Sequence, residues 1–271
     1  MTDPVVQPLI DRPRRGIWMF PGVAAAALVD AVVAAEELGL DEVWIADEGV
    51  AREPVPVLAA AAMATTRIRL GVGITSPLLR HPGALAATVN TLDELSDGRA
   101  VLGLGVGGHL ALGPFGLGTE RPVGVLADAI DTARAVLGRQ PGAGYDPPPH
   151  AAPARHVPIW VGGRGPQVTA MAARRADGVF LSGCTHEQVD RIVSDVRARR
   201  ADIGFALYHS ADRSGRDSST ASWDRVGEEL ELLATDWRPD AVGINLVELA
   251  DGDSRPVELV SRAAAVLVAV G

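Results

Sequence analysis

The chain has 271 residues and a formal net charge of −9, with 34 acidic residues against 25 basic ones, every one of them arginine. An acidic chain without a basic run argues against nucleic-acid or anionic-membrane partners, and one cysteine, Cys184, excludes an intrachain disulfide framework and a cysteine-based metal cluster. No uninterrupted apolar run reaches the roughly 18 residues that span a bilayer, and "MTDPVVQPLIDRPRR" lacks a secretory-signal pattern, so a soluble cytoplasmic protein without a metal site is expected.

Taken in chain order, the sequence alternates. "GIWMF" (16–20) reads as a strand, and the alanine-rich 23–38, ending before Gly39, as a helix. "DEVWIAD" (41–47) is a strand by its β-branched and aromatic content, and 54–64 is a short helix opening at a proline. "IRLGVGIT" (68–75), helix 82–95, "RAVLGLGV" (99–106) and helix 122–137 repeat the pattern. Residues 138–157 are saturated with Pro, Gly and Ala and read as a surface loop within one domain, because the alternation resumes after them. "VPIWVGG" (157–163), helix 166–176, "DGVFLSG" (177–183), helix 186–200 and "IGFALYHS" (203–210) follow. A polar loop (211–221), helix 222–235, "DAVGINLVEL" (240–249) and helix 254–269 complete eight strand–helix pairs. Eight such pairs in about 250 residues is the arithmetic of a single-domain (β/α)8 TIM barrel over 1–271, and near-continuous apolar strands suit parallel pairing covered on both faces.

"GLGVGG" (103–108) matches the glycine fingerprint of dinucleotide folds. That fingerprint needs a helix directly after its glycines, near the first strand. Here the fourth strand carries it, "HLALGPFGLGTERP" follows, and the next helical pattern starts only near Pro122. The glycines are therefore expected to bare the strand end to a large flat ligand.

A barrel keeps its chemistry at the C-terminal strand ends. These are Asp47-Glu48, Gly73-Ile74-Thr75-Ser76, Gly105 with Gly107, Gly108 and His109, Gly162-Gly163-Arg164-Gly165, Ser182-Gly183-Cys184 and Tyr208-His209-Ser210. The fifth turn is the phosphate candidate: three glycines bare amides, Arg164 adds charge, and Pro166 opens a helix. Trp18, Trp44 and Trp160 are expected in the core or inner wall, Cys184 as a small buried residue, His81 as a helix cap and Arg80 in a structural pairing.

"VWIADE" (43–48), the block 67–107 containing "RHP", "TLDELSDGR" and "LGLGVG", and "VPIWVGGRGPQVTAMAARRADGVFLSG" (157–183) resemble the luciferase-like monooxygenase superfamily, in particular its branch that uses the deazaflavin coenzyme F420. The resemblance covers 16–183. The last third matches in pattern only and is shorter than in most members between the seventh and eighth strands.

What the resemblance implies is a (β/α)8 barrel, a homodimer, and a ring in the barrel mouth supported by a bulge in the third strand, matched by Gly73-Ile74 beside Thr75. The family's cofactor phosphate matches Gly162, Gly163, Arg164 and Gly165, with Gly105 and Gly107 on the cofactor side. Asp47 matches the family and lies where the cofactor's polar edge would pass; His109 lies in the cofactor-facing region and is taken as a site residue. Many F420-dependent members carry Asp-His where this chain has Asp47-Glu48. Glu48 is then a tuned acid, a contact without proton transfer, or the mark of altered catalysis.

The implied activity is hydride transfer between F420 and a small organic substrate. An FMN-dependent monooxygenase on the same barrel, and a cofactor-binding member with altered or lost catalysis, are the alternatives.

Overall fold

Short apolar runs and proline-opened helices dictate the architecture. In the computed structural model, residues 12–210, 223–247, 249 and 255–270 are described. Eight parallel strands close into one barrel in chain order, and helices follow them on the outside. The strands are β1 (Arg14–Met19), β2 (Glu42–Ile45), β3 (Arg69–Thr75), β4 (Ala100–Leu104), β5 (Ile159–Gly162), β6 (Gly178–Ser182), β7 (Gly204–Ser210) and β8 (Ala241–Leu246). The ring closes where Arg14–Met19 pair with Ala241–Leu246 residue by residue.

The helices are α1 (Ala25–Glu37), α2 (Pro54–Ala64), α3 (Pro82–Leu95), α4 (His109–Leu112), α5 (Pro122–Leu137), α6 (Pro166–Arg175), α7 (His186–Arg199), α8 (Trp223–Trp237) and α9 (Pro256–Val268). Proline occupies the first turn of α2, α3, α5, α6 and α9, where its missing N–H has no helical partner to lose. His81 caps α3 by accepting from the Gly83 N–H at 3.1 Å, as its place before Pro82 suggested.

One expectation fails. A four-residue helix, α4, opens directly after Gly108 and runs into a 3-10 turn at Gly113–Phe115. One helical turn between glycines has no length over which a 3.6-residue period can register. Strand limits also contract: β4 stops at Leu104, not Val106, and β8 at Leu246, not Leu249. Val106 lines the mouth, and Leu249 packs in the core beyond the ladder. Residues 138–157 hold only the bridge Gly142–Tyr145; the expected loop 211–221 lies outside the described residues.

Side-chain alternation divides the core. Ile17, Val43, Leu70, Leu102, Val179 and Ile244 face the helices in one continuous cluster. Trp44, Trp160, Phe180 and Tyr208 fill the barrel interior. These rings fit because the neighbouring strands carry glycine: a Cβ on Gly71 or Gly73 would lie 2.3 Å from Trp44, and one on Gly243 2.3 Å from Tyr208.

The N-terminal floor of the barrel is polar. Glu42, 2% exposed, accepts from Trp44 Nε1, Tyr208 Oη and Arg14 Nε, each at 2.9 Å, and lies 3.7 Å from Arg69. Burial alone would raise its carboxyl; the Arg14 and Arg69 guanidinium groups outweigh that and hold it below the usual range. Burial, then the neighbouring Arg14, lower Arg69 to about 10.

Candidate active site

The opposite, C-terminal mouth holds a cavity of about 640 Å³, within the range of small-molecule sites. The ends of β1 to β6 build it.

After β2, Asp47 is 7% exposed and fully engaged. It accepts from Thr75 Oγ1 at 2.6 Å and from the Gly49 N–H at 3.3 Å, and it forms an ion pair with Arg80. Arg80 also pairs with Glu53, whose other carboxylate oxygen caps α2 through the Val55 N–H at 3.0 Å. Arg80 thus clasps the loops after β2 and β3 together, the structural pairing expected of it. Glu48 differs: its side chain lines the cavity and makes no hydrogen bond or ion pair among the described residues. Burial first, and then the charge of Asp47, push its carboxyl above the ordinary glutamate value.

In β3 the register against β4 shifts between Val72 and Thr75, and the Gly73–Ile74 peptide is cis. The bulge expected at Gly73-Ile74 is therefore present. It carries Ile74 into the cavity wall, and the bare backbone of β4 and β5 receives it. A Cβ on Gly105 would lie 2.3 Å from Ile74 Cδ1, and one on Gly162 2.4 Å. Two glycines of the "GLGVGG" run, Gly103 and Gly105, make room for Ile74 and Trp44, and Gly107 takes a positive φ of 91° to turn the chain into Gly108 and α4. Ser76 Oγ donates to the Val106 carbonyl at 2.6 Å, tying the two strand ends.

After β5, Gly162-Gly163-Arg164-Gly165 leads into α6. Gly165, the N-cap residue, offers no side-chain cap, so the first amides of α6 stay available. Arg164 Nη1 donates to the Gly183 carbonyl at 3.3 Å. On the far wall, Phe180 and Ser182 of β6 face the cavity, and Asn245 Nδ2 of β8 donates to Ser182 Oγ at 2.9 Å.

Of the expected site residues, Asp47, Glu48, Ile74, Gly107, His109, Gly162, Gly163 and Arg164 line this one cavity. Gly73, Thr75, Gly105 and Gly165 do not. Thr75 lies beneath, holding Asp47, Gly105 seats Ile74, and Gly165 stands at the N-cap position of α6. Trp18 lines the cavity, whereas Trp44 and Trp160 stay in the barrel interior. Cys184 is half-buried rather than buried. Val106, Gly108, Leu110, Ala111, Val168, Phe180 and Ser182 complete the lining. Those on α4 carried no signal because that helix was itself illegible; Val106 and Phe180 read only as strand residues.

A closed (β/α)8 barrel whose carboxyl pair, strand bulge and glycine-rich turn meet at the C-terminal mouth is the framework of a barrel enzyme with a large ligand cavity. The chain belongs to the luciferase-like monooxygenase family, whose model matches residues 10–234. It is 28% identical over 222 residues, 76% of this chain and 68% of the relative, to 5,10-methylenetetrahydromethanopterin reductase of Methanolobus tindarius. It is 33% identical over 174 residues, 57% of this chain and 51% of the relative, to F420-dependent glucose-6-phosphate dehydrogenase of Nakamurella multipartita. The chain thus spans between about half and about two thirds of these relatives' lengths. Its fold is like that of the coenzyme F420-dependent tetrahydromethanopterin reductase from Methanopyrus kandleri, with a TM-score of 0.71 over 95% of this chain and 99% of that one, at 17% identity.

Proposed function

We propose that this chain is a coenzyme F420-dependent oxidoreductase that moves a hydride between the deazaflavin and a small organic substrate. The observation that carries the reading is the seat of Ile74: an apolar side chain lifted by the β3 bulge, beside walls that at Gly107, Gly108, Gly162 and Gly163 are bare backbone. Such walls fit a planar ring, and the turn before α6, with Arg164 and uncapped amides, fits its phosphate. Residue by residue, Ile74 supports the ring, Asp47 meets its polar edge, and Gly162, Gly163, Arg164 and Gly165 hold the phosphate. Gly73, Thr75, Gly105 and Gly107 shape that surface.

When bound, F420 supplies a carbon that gives or takes a hydride. Reduction of a carbonyl then also needs one proton at the substrate oxygen, and the reverse reaction releases one. Glu48 is the group for that proton, because Asp47 has its lone pairs occupied by Thr75, Gly49 and Arg80, while the Glu48 side chain has no partner among the described residues and burial raises its carboxyl. His109, on α4 at the same cavity, is the second group placed to handle it. A homodimer, implied by the family resemblance, belongs to the same proposal.

Titrating the purified protein separately with F420 and with FMN, followed by fluorescence quenching, tests this reading. Binding of F420 with turnover of a carbonyl or alcohol substrate is expected. Binding of FMN alone would replace it with the monooxygenase reading; F420 binding with no hydride transfer across enones, imines and alcohols would leave a binding protein.

A further inference from the structure

The charges around the cavity restrict what can share it with a cofactor. Two carboxyl side chains, Asp47 and Glu48, line it against one guanidinium, Arg164. Arg164 stands in the turn assigned above to the cofactor phosphate and leans toward the β6 end, where it donates to the Gly183 carbonyl. Among the described residues no second arginine lines the cavity, and the chain has no lysine. Asp47 is already paired with Arg80, so an anionic substrate would find no counter-ion of its own among the described lining residues, and leaving a charge unpaired in a cavity costs heavily.

The rim adds an apolar component. Leu110 lines the cavity yet is 67% exposed, and Phe115 is 52% and Val50 65% exposed. They belong to one stretch of the mouth. A Cβ on Gly49 would lie 2.4 Å from the Ala111 carbonyl oxygen and 3.0 Å from Phe115, so the loop after β2 abuts α4 and the turn that follows. Exposed apolar side chains gathered at a cavity mouth mark the approach of an apolar ligand.

One polar group on the far wall is aimed. Ser182 Oγ accepts from Asn245 Nδ2 at 2.9 Å, and Asn245 is 1% exposed and fixed in β8. A serine hydroxyl carries one hydrogen. With an acceptor position of Ser182 taken by a fixed donor, that hydrogen is left to be donated into the cavity.

We infer that the substrate is an uncharged, largely apolar molecule with one carbonyl or imine acceptor, that Leu110 packs against its apolar body, and that Ser182, oriented by Asn245, donates the hydrogen bond that holds its acceptor. This rests on the oxidoreductase reading and departs from a phosphorylated sugar. Ser182 is a binding and positioning residue, and proton transfer is left to Glu48.

Three probes of one carbon skeleton test the inference by calorimetric titration of the purified protein: carvone, a neutral ketone; limonene, the hydrocarbon; and perillate, the carboxylate. Glucose 6-phosphate serves as the dianion. Carvone is expected to bind about tenfold or more tighter than perillate, with glucose 6-phosphate weaker still. Ser182→Ala should bring carvone down about fivefold toward limonene and leave limonene unchanged, and Ser182→Thr should restore it. Leu110→Asp should weaken carvone and limonene alike by about tenfold. Perillate or glucose 6-phosphate binding as tightly as carvone, or Ser182→Ala weakening limonene as much as carvone, would overturn the inference. F420 binding is measured in parallel: its loss with the carvone preference intact overturns only the cofactor reading, and the converse only this one.

Discussion

The indole N–H of Trp18 donates to the carbonyl oxygen of Gly73 at 2.6 Å, so that β1 reaches past β2 to hold the bulge of β3. Trp18→Phe keeps most of the apolar area and removes the donor. A net hydrogen bond is worth about 0.5–1.5 kcal/mol, so F420 affinity should fall about three- to tenfold with little change in melting temperature. Fluorescence quenching and thermal unfolding read the two effects separately. A loss of stability with affinity unchanged would make the bond purely structural.

Glu48→Gln keeps the shape of the side chain and removes its titration. With the carboxyl of Glu48 raised, the wild-type protein should lose substrate-reducing activity as pH rises through that value, because the proton donor is spent. The variant should show no such limb and a rate lower by about 10²-fold. Rates measured from pH 5 to 9 decide it, and a variant that retains the wild-type limb would assign the titration elsewhere.

Gly162→Ala tests the seat of Ile74. The new methyl would lie 2.4 Å from Cδ1 of that residue, the free end of a flexible chain that can swing away. The barrel should stay folded while Ile74 shifts, and F420 affinity should drop by about tenfold. Equal affinity in the variant would remove Ile74 from the binding surface.

Glu42→Ala leaves Arg14 and Arg69 buried at the barrel floor without their shared counter-charge. Breaking such an arrangement from one side costs about 3–5 kcal/mol, to be read by urea unfolding at pH 7. The Glu42 carboxyl is depressed in the folded state, so its contribution is fully present above the unfolded value of about 4.3 and is lost as pH falls through the folded value. The gap between wild type and variant should therefore close in acid, not in base.

Much of this architecture was written in local pattern. The bounds read for α2, α3 and α5 match to the residue, because proline at the first turn, and Gly138 after α5, are local signals. The carboxyl pair and the glycine-rich turn were legible as strand ends of a barrel, and the bulge through the family resemblance. The division of labour between Asp47 and Glu48 was not, since it depends on Thr75 and Arg80 arriving from another loop. Nor was the role of Gly105 and Gly162: a glycine states that something comes close, and only three dimensions say that it is Ile74. Trp18 looked like Trp44 and Trp160 in sequence, and a strand position does not tell which layer of the barrel its side chain occupies.

The Arg80 clasp makes one side of the mouth a jamb rather than a door. With Asp47, Glu53 and Thr75 gathered on one guanidinium, the segments 47–53 and 75–80 are braced against each other and have no cheap way to part. Residence times in the cavity should then respond to changes at α4, a single turn between Gly108 and Gly113, and not at the brace.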